Sequence, residues 1–239
     1  LKEVGIIDEI AFVHPKDMQD QRVSVSESDI TANLPYVEGV YLAFDHHISE
    51  VIRVGSRPNH IVYPNAPSAS RVVYEYYGAK ERFKNIPDDL MRAVDNADTA
   101  QYTKEDIINP QGWILLGFIM DARTGLGRFR NFRINNQALM RKLIDLFRDH
   151  TVDEILNDPD VKERVDLYHE HSEKFIEQLK RCTTVKKNAA LINLRNEDVI
   201  YSGNRFLVYT VFPQINISAH EIWGKNKRNV AFAVGKSIF

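Results

Sequence analysis

Gly39-Val40-Tyr41-Leu42-Ala43-Phe44-Asp45-His46-His47 is the stretch that decides the fold. Its first six residues form an unbroken apolar run. A strand with one face in water alternates apolar and polar residues, whereas a strand covered by helices on both faces is apolar throughout. The run therefore predicts an inner strand of a parallel sheet, and the fold class is α/β. In open sheets of this class, functional side chains gather just beyond the C-terminal ends of the strands. A carboxylate and two imidazoles, Asp45, His46 and His47, stand at that end.

The sequence around this strand is read in the same way. Ala11–His14 predicts a short strand, and Val23-Ser24-Val25-Ser26 alternates with period two toward Asp29, which puts a carboxylate after a strand. His60–Tyr63 predicts another strand, closed by Pro64. Ser68 caps a helix running to about Tyr77, with Gly78 as its stop. Leu90, Ala93, Val94 and Ala97 recur at helical spacing from Pro87 to about Asp98, so an acidic pair, Asp95 and Asp98, ends that helix. Trp113–Ala122 and Asn136–Arg148 predict further helices. Asp160 to about Arg181 predicts a long one, with Val161, Val165, Tyr168, Phe175, Ile176 and Leu179 as its apolar stripe. Ala189–Ile192, Phe206–Phe212 and Asn229–Val234 then read as strands, while Ile217–Trp223 fits either state. The expected organisation is an α/β domain with its long connecting helix over residues 1–183 and a smaller strand-rich domain over 184–239.

Composition narrows the function. The 239 residues carry 31 Lys+Arg against 33 Asp+Glu, a net charge of −2 that speaks against binding long nucleic acids through a basic surface. A single cysteine, Cys182, rules out an intrachain disulfide framework and a Cys-based zinc cluster, and fits a cytoplasmic location. The most apolar stretch, Trp113–Met120, is far shorter than the roughly 18 residues of a membrane span, so no membrane association is expected.

Asp-His-His after an apolar strand resembles the signature of the DHH phosphoesterase superfamily. Asp29-Ile30-Thr31-Ala32-Asn33-Leu34-Pro35 resembles its second motif, a lone Asp at a strand end. Asp98-Thr99-Ala100-Gln101-Tyr102 resembles its fourth, usually Asp-Thr-Gly-x-Phe. Three motifs in order are more specific than the tripeptide, and their surroundings look most like the exopolyphosphatase-related branch, akin to nanoRNase/pAp phosphatases. The resemblance implies a DHH domain followed by a DHH-associated domain. It implies Asp29, His46 and Asp98 as metal ligands, Asp29 bridging two ions. Asp45 would orient the histidines and His47 would face the substrate phosphate, these two being the catalytic pair. It also implies two Mn2+ ions, with Mg2+ or Co2+ as substitutes, that activate a hydroxide for phosphoester hydrolysis.

The same family carries a first motif, His-x-Asp-x-Asp, and a Gly-Gly-Gly-His loop, neither of which is present. His14-Pro15-Lys16-Asp17 is the nearest approach to the former, and Gly235-Lys236-Ser237 resembles the segment just upstream of the latter, with Lys236 and Ser237 as weak phosphate contacts. Leu1, Val4 and Gly5 read as the last turn of a helix and its stop, and Val230–Phe239 ends without a polar tail. Both ends are therefore expected to be cut, with the first motif upstream of Leu1.

Ordinary readings stand beside these. His47 can be a hydrogen-bonded histidine at a strand end, and Asp29 a turn residue. Asp95 is read as part of a solvated helix face, and His169 and His171 as surface residues. The run Arg123, Arg128, Arg130 and Arg133 is either a solvated loop or charge for a polyanionic substrate, with Arg123 as the weak substrate-binding candidate. Trp113, Leu116 and Phe118 read as core. The expected function is a metal-dependent phosphoesterase acting on a small nucleotide or short oligonucleotide, with a homodimer allowed. The alternatives are an exopolyphosphatase acting on polyphosphate and a catalytically silent nucleotide-binding module.

Overall fold

A computed structural model describes residues 1, 5 and 7–239, and divides the chain into two units, Leu1–Thr99 and Ala100–Phe239. The helix end expected at Leu1–Gly5 rests on residues 2–4 and lies outside the described residues. The long helix expected before the boundary ends at Cys182, and a strand begins at Thr183.

The first unit is built on three parallel strands in the order β1 (Ile30–Ala32), β2 (Leu42–Asp45), β3 (His60–Val62), with Ile30 opposite Leu42 and Ala43 opposite His60. The apolar run is thus the central strand, and its Ala43 and Phe44 are fully buried. Helix α1 (Pro15–Gln19) precedes the sheet and α2 (Ile48–Val54) follows β2. Helix α3 (Ala69–Tyr76) packs on the sheet through Val72, while Tyr76 and Tyr77 set their rings against Phe44. Ser68 caps α3, its hydroxyl accepting from Arg71 N, and Gly78 adopts φ +100° so that the chain can turn into α4 (Ala79–Arg82). Helix α5 (Asp88–Thr99) closes the unit, with Tyr74, Phe83 and Met91 forming a small core.

The strands expected at Ala11–His14 and Val23–Ser26 are not formed. His14 instead caps α1, its Nδ1 accepting from Lys16 N. Val23–Ser26 runs into a turn, in which Asp29 N donates to Ser26 O at 3.0 Å. Two alternating residues are too few to outweigh that local closure.

The second unit runs through α6 (Lys104–Ile108), α7 (Gly112–Met120), α8 (Asn136–Asp149), α9 (Val152–Asn157) and the long α10 (Pro159–Cys182). Leu116, Leu139, Leu143, Ile155 and Val161 form the core between these helices. A four-stranded sheet follows in the order β4 (Thr183–Lys186), β5 (Ala189–Asn193), β6 (Ile217–Trp223), β7 (Val230–Lys236). Strands β5 and β6 are parallel, and a parallel pair needs a crossover connection. The crossover contains α11 (Leu207–Val211), where a strand was expected. A short continuous apolar run does not separate the two states, and here the topology decides for a helix. No described helix is long and apolar enough to cross a membrane.

Candidate active site

Asp45 ends β2 with 2% of its surface exposed, so its charge must be met by donors. Its Oδ1 accepts from the backbone N–H of His46 at 2.7 Å and of His47 at 3.2 Å, and from His47 Nδ1 at 2.7 Å. These bonds bend the chain from strand into helix and aim both imidazoles. Because a carboxylate only accepts, the His47 proton lies on Nδ1, which leaves Nε2 as the available nitrogen on a half-exposed side chain.

His46 is fixed from the other side. Its ring stands edge-on to that of His47, with centroids 4.3 Å apart. Its Nδ1 lies 3.0 Å from Ala66 O, in the loop that Tyr63 N anchors to Asp45 O. The carbonyl puts the proton on Nδ1 and leaves the Nε2 lone pair free. That nitrogen is buried and makes no hydrogen bond among the described residues, yet it lies 3.1 Å from Asp98 Oδ2. A lone pair facing a carboxylate oxygen across that distance is repulsive unless a proton or a metal cation is shared between them. The imidazole nitrogen and carboxylate oxygen form a donor set of the kind that fits a divalent transition-metal ion. Asp45, His46 and His47 also offer ligand atoms that all lie within 4.8 Å of one another.

Asp98 owes its place to Asp95, one helical turn earlier. Asp95 is buried, and its carboxylate accepts from Ser68 Oγ at 2.7 Å, from Arg71 Nε at 3.0 Å and from a second guanidinium nitrogen of Arg71. This clamp fastens α5 to α3, so the solvated face expected for Asp95 is corrected to a buried structural ion pair. On α2, the Arg53 guanidinium holds the Glu50 carboxyl below its usual range, and Glu50 also accepts from Tyr36 N at 2.9 Å. Burial pushes His60 on β3 down.

No family model matches the chain, and no curated protein does. Among solved structures, a pGpG-specific phosphodiesterase, PggH from Vibrio cholerae, matches at 51% identity over 100% of this chain and 77% of its own, with a TM-score of 0.86. The chain belongs to the DHH phosphodiesterase family. It is therefore a phosphohydrolase.

Of the site residues expected in this DHH chain, the structure brings together Asp45, His46, His47 and Asp98. It does not bring Asp29 to them, and that expectation is corrected. Asp29 precedes β1 rather than following a strand, and the register sets Ile30 against Leu42. Asp29 therefore stands at the level of Tyr41, about 13 Å along the strand from Asp45 at roughly 3.3 Å per residue. Its carboxylate closes a local turn, accepting from Ser26 N at 2.7 Å and Ser26 Oγ at 2.8 Å. Asn33 holds the position expected for Asp29, past the C-terminal end of β1, and its N–H donates to Phe44 O at 3.0 Å. Its φ of +57° lies in the left-handed region, which Asn tolerates better than most residues.

Arg123, Lys236 and Ser237 belong to the second unit. Arg123 is paired with Asp121, its Nε donating to Oδ1 at 2.7 Å and Oδ2 at 3.0 Å. Lys236 is the exposed last residue of β7, and Ser237 N donates to Asn216 O at 2.8 Å. His169 is exposed as expected. His171 is not: it is buried against Ser202, whose hydroxyl lies 2.9 Å from its Nδ1.

Proposed function

We propose that the chain is a metal-dependent phosphodiesterase that adds water across the diester bond of a short linear dinucleotide of the pGpG type, releasing two mononucleotides. The observation that carries this reading is the buried Nε2 of His46, without a hydrogen bond among the described residues and 3.1 Å from Asp98 Oδ2. The printed specificity of PggH, at 51% identity, supports the substrate class.

His46 and Asp98 would hold a divalent cation, manganese by donor type, with magnesium or cobalt as substitutes. Such an ion supplies Lewis acidity toward a phosphoryl oxygen and lowers the pKa of a coordinated water. The protein's own residues do the rest. Asp45 fixes the ring of His47, and His47 Nε2 faces the phosphoryl group, where it donates a proton when charged or accepts one when neutral. The Asp95 clamp keeps Asp98 in register with His46. Asp29 stands outside this ligand set. A small substrate accords with the near-neutral chain, and a cytoplasmic setting with its lone free cysteine, Cys182.

The test is direct. Purified protein is incubated with pGpG and Mn2+, and GMP is resolved by chromatography with a chelator control. GMP released only with the ion is the expected result. Absence of GMP with manganese, magnesium and cobalt alike overturns the reading.

A further inference from the structure

His46 and Asp98 sit on different elements, and one short loop, residues 63–68, reaches the supports of both. The loop is anchored at the site, where Tyr63 N donates to Asp45 O at 3.2 Å, and it closes on itself as Ala66 N donates to Tyr63 O at 2.9 Å. Pro64 and Pro67 flank that turn, and their rings hold φ at about −65°. The loop is therefore stiff. Ala66 O meets His46 Nδ1 at 3.0 Å. Two residues further on, Ser68 Oγ donates to Asp95 Oδ1 at 2.7 Å while accepting from Arg71 N at 3.0 Å.

The contact with α5 is made away from water, since Ser68 is 1% exposed and Asp95 is buried. Asp98 follows Asp95 by three residues and so lies on the same side of the helix. Thr99 Oγ1 donates to Asp95 O at 2.7 Å, which closes the last turn of α5 around Asp98. Arg71 meets the charge of Asp95, but its long side chain can follow a small slide of α5 by changing rotamers. The Ser68 hydroxyl, one bond from Cβ on a stiff loop, cannot. A slide of a few tenths of an ångström matters here, because metal–ligand bonds hold to within about 0.2 Å.

From this juxtaposition we infer that Ser68 is a positioning residue for the cation. Through Asp95 it sets α5 against the same loop that aims His46, and so presents His46 Nε2 and Asp98 Oδ2 to one ion from 3.1 Å apart. Ser68 touches neither ion nor substrate; it tunes affinity for the metal by fixing the distance between two donors. The inference rests on the cation proposed at His46 and Asp98.

The test titrates chelator-treated protein with Mn2+ and follows the melting temperature, in wild type and three variants. Ser68→Ala removes both the bond to Asp95 and the cap of α3. Ser68→Gly removes the same bond but leaves a residue that helix starts accept at little cost. Asn135→Ala is the matched control: it removes the cap of α8 in the second unit, where the Asn135 side chain accepts from Ala138 N. Both Ser68 variants are expected to bind Mn2+ about tenfold more weakly, the usual loss when the support of a ligand is removed, while Asn135→Ala melts earlier with its Mn2+ affinity unchanged. In turnover of pGpG, the Mn2+ concentration for half-maximal rate should rise by a similar factor in the Ser68 variants, with the rate at saturating Mn2+ within about threefold of wild type. Mn2+ affinity in both Ser68 variants equal to wild type, or a loss in Asn135→Ala as large as theirs, overturns the inference and leaves the cation site standing. No Mn2+ response in the wild-type protein overturns the cation site itself, and the inference with it.

Discussion

His46 Nε2 and Asp98 Oδ2 lie 3.1 Å apart, although one ends the turn after β2 and the other ends α5, fifty-two residues later. Neither group gains from this closeness without a positive charge between them. Added Mn2+ is therefore expected to raise the melting temperature of the wild-type protein, since an ion that binds only the folded state stabilises it by mass action. His46→Ala and Asp98→Asn should each abolish that rise and lower phosphodiesterase activity by about a hundredfold or more. A manganese response that survives in both variants would place the ion elsewhere.

Asp45 acts through His47. Asp45→Asn keeps an oxygen for the two backbone donors but loses the charge that fixes the ring. Activity is expected to fall about 10- to 100-fold, the usual loss when the partner of a working imidazole is changed. Because the defect is one of orientation, the pH profile of kcat should shift while manganese binding, followed by thermal shift, persists. An unchanged profile would make Asp45 purely structural.

Asp29 provides the opposite check. Its carboxylate closes a turn with Ser26 at the far end of β1. Asp29→Ala should cost about 1 kcal/mol of stability, in line with loss of a capping side chain, and leave activity within about twofold. A large loss of activity in a folded variant would return Asp29 to the catalytic set.

The contrast between Asp29 and Asp45 shows what was legible in the residues. Phe44-Asp45-His46-His47 could be placed because six apolar residues fix a buried strand and its direction, so the end that carries chemistry follows. Helical spacing from Leu90 to Ala97 put both Asp95 and Asp98 at a helix end, and the resemblance of Asp98-Thr99-Ala100-Gln101-Tyr102 to the family's fourth motif singled out Asp98. Asp29 lay between two short segments, and reading Val23–Ser26 as the strand instead of Ile30–Ala32 moved the carboxylate to the wrong end of the sheet. The burial of Asp95 was hidden for another reason. Its partners, Ser68 and Arg71, lie on a different helix, and spacing within one helix says nothing about what packs across from it. Likewise Phe206–Phe212 is apolar enough for either state, and the parallel pairing of β5 with β6, a long-range fact, made it a helix.

The Asp95 clamp has a measurable cost. Asp95→Ala strands the guanidinium of Arg71 and the hydroxyl of Ser68 inside the α3–α5 contact. Removing one partner of a mostly buried pair is expected to destabilise the protein by about 2–4 kcal/mol, read as a lower urea midpoint. Asp95→Asn should recover part of that loss through the retained Ser68 bond. Equal losses in the two variants would show that the hydroxyl contributes nothing.

His171 makes stability depend on pH. Ser202 N donates to its Nδ1 at 3.2 Å, so that nitrogen must keep its lone pair, and burial pushes the group below the usual histidine value of 6.5. The unfolded chain takes up this proton at higher pH than the folded one. Stability is therefore fully present above about 6.5 and declines as the pH falls below it. His60 and His220, also pushed down by burial, act in the same direction. The urea midpoint is expected to hold between pH 8 and 7 and to drop toward pH 5.5 by roughly the linkage of these groups. His171→Gln, whose amide oxygen can still accept from Ser202 N, should lower stability at pH 7.5 only slightly and flatten the acid limb. If the acid limb of this variant is as steep as that of wild type, the proton is taken up elsewhere and Ser202 is not what holds the imidazole neutral.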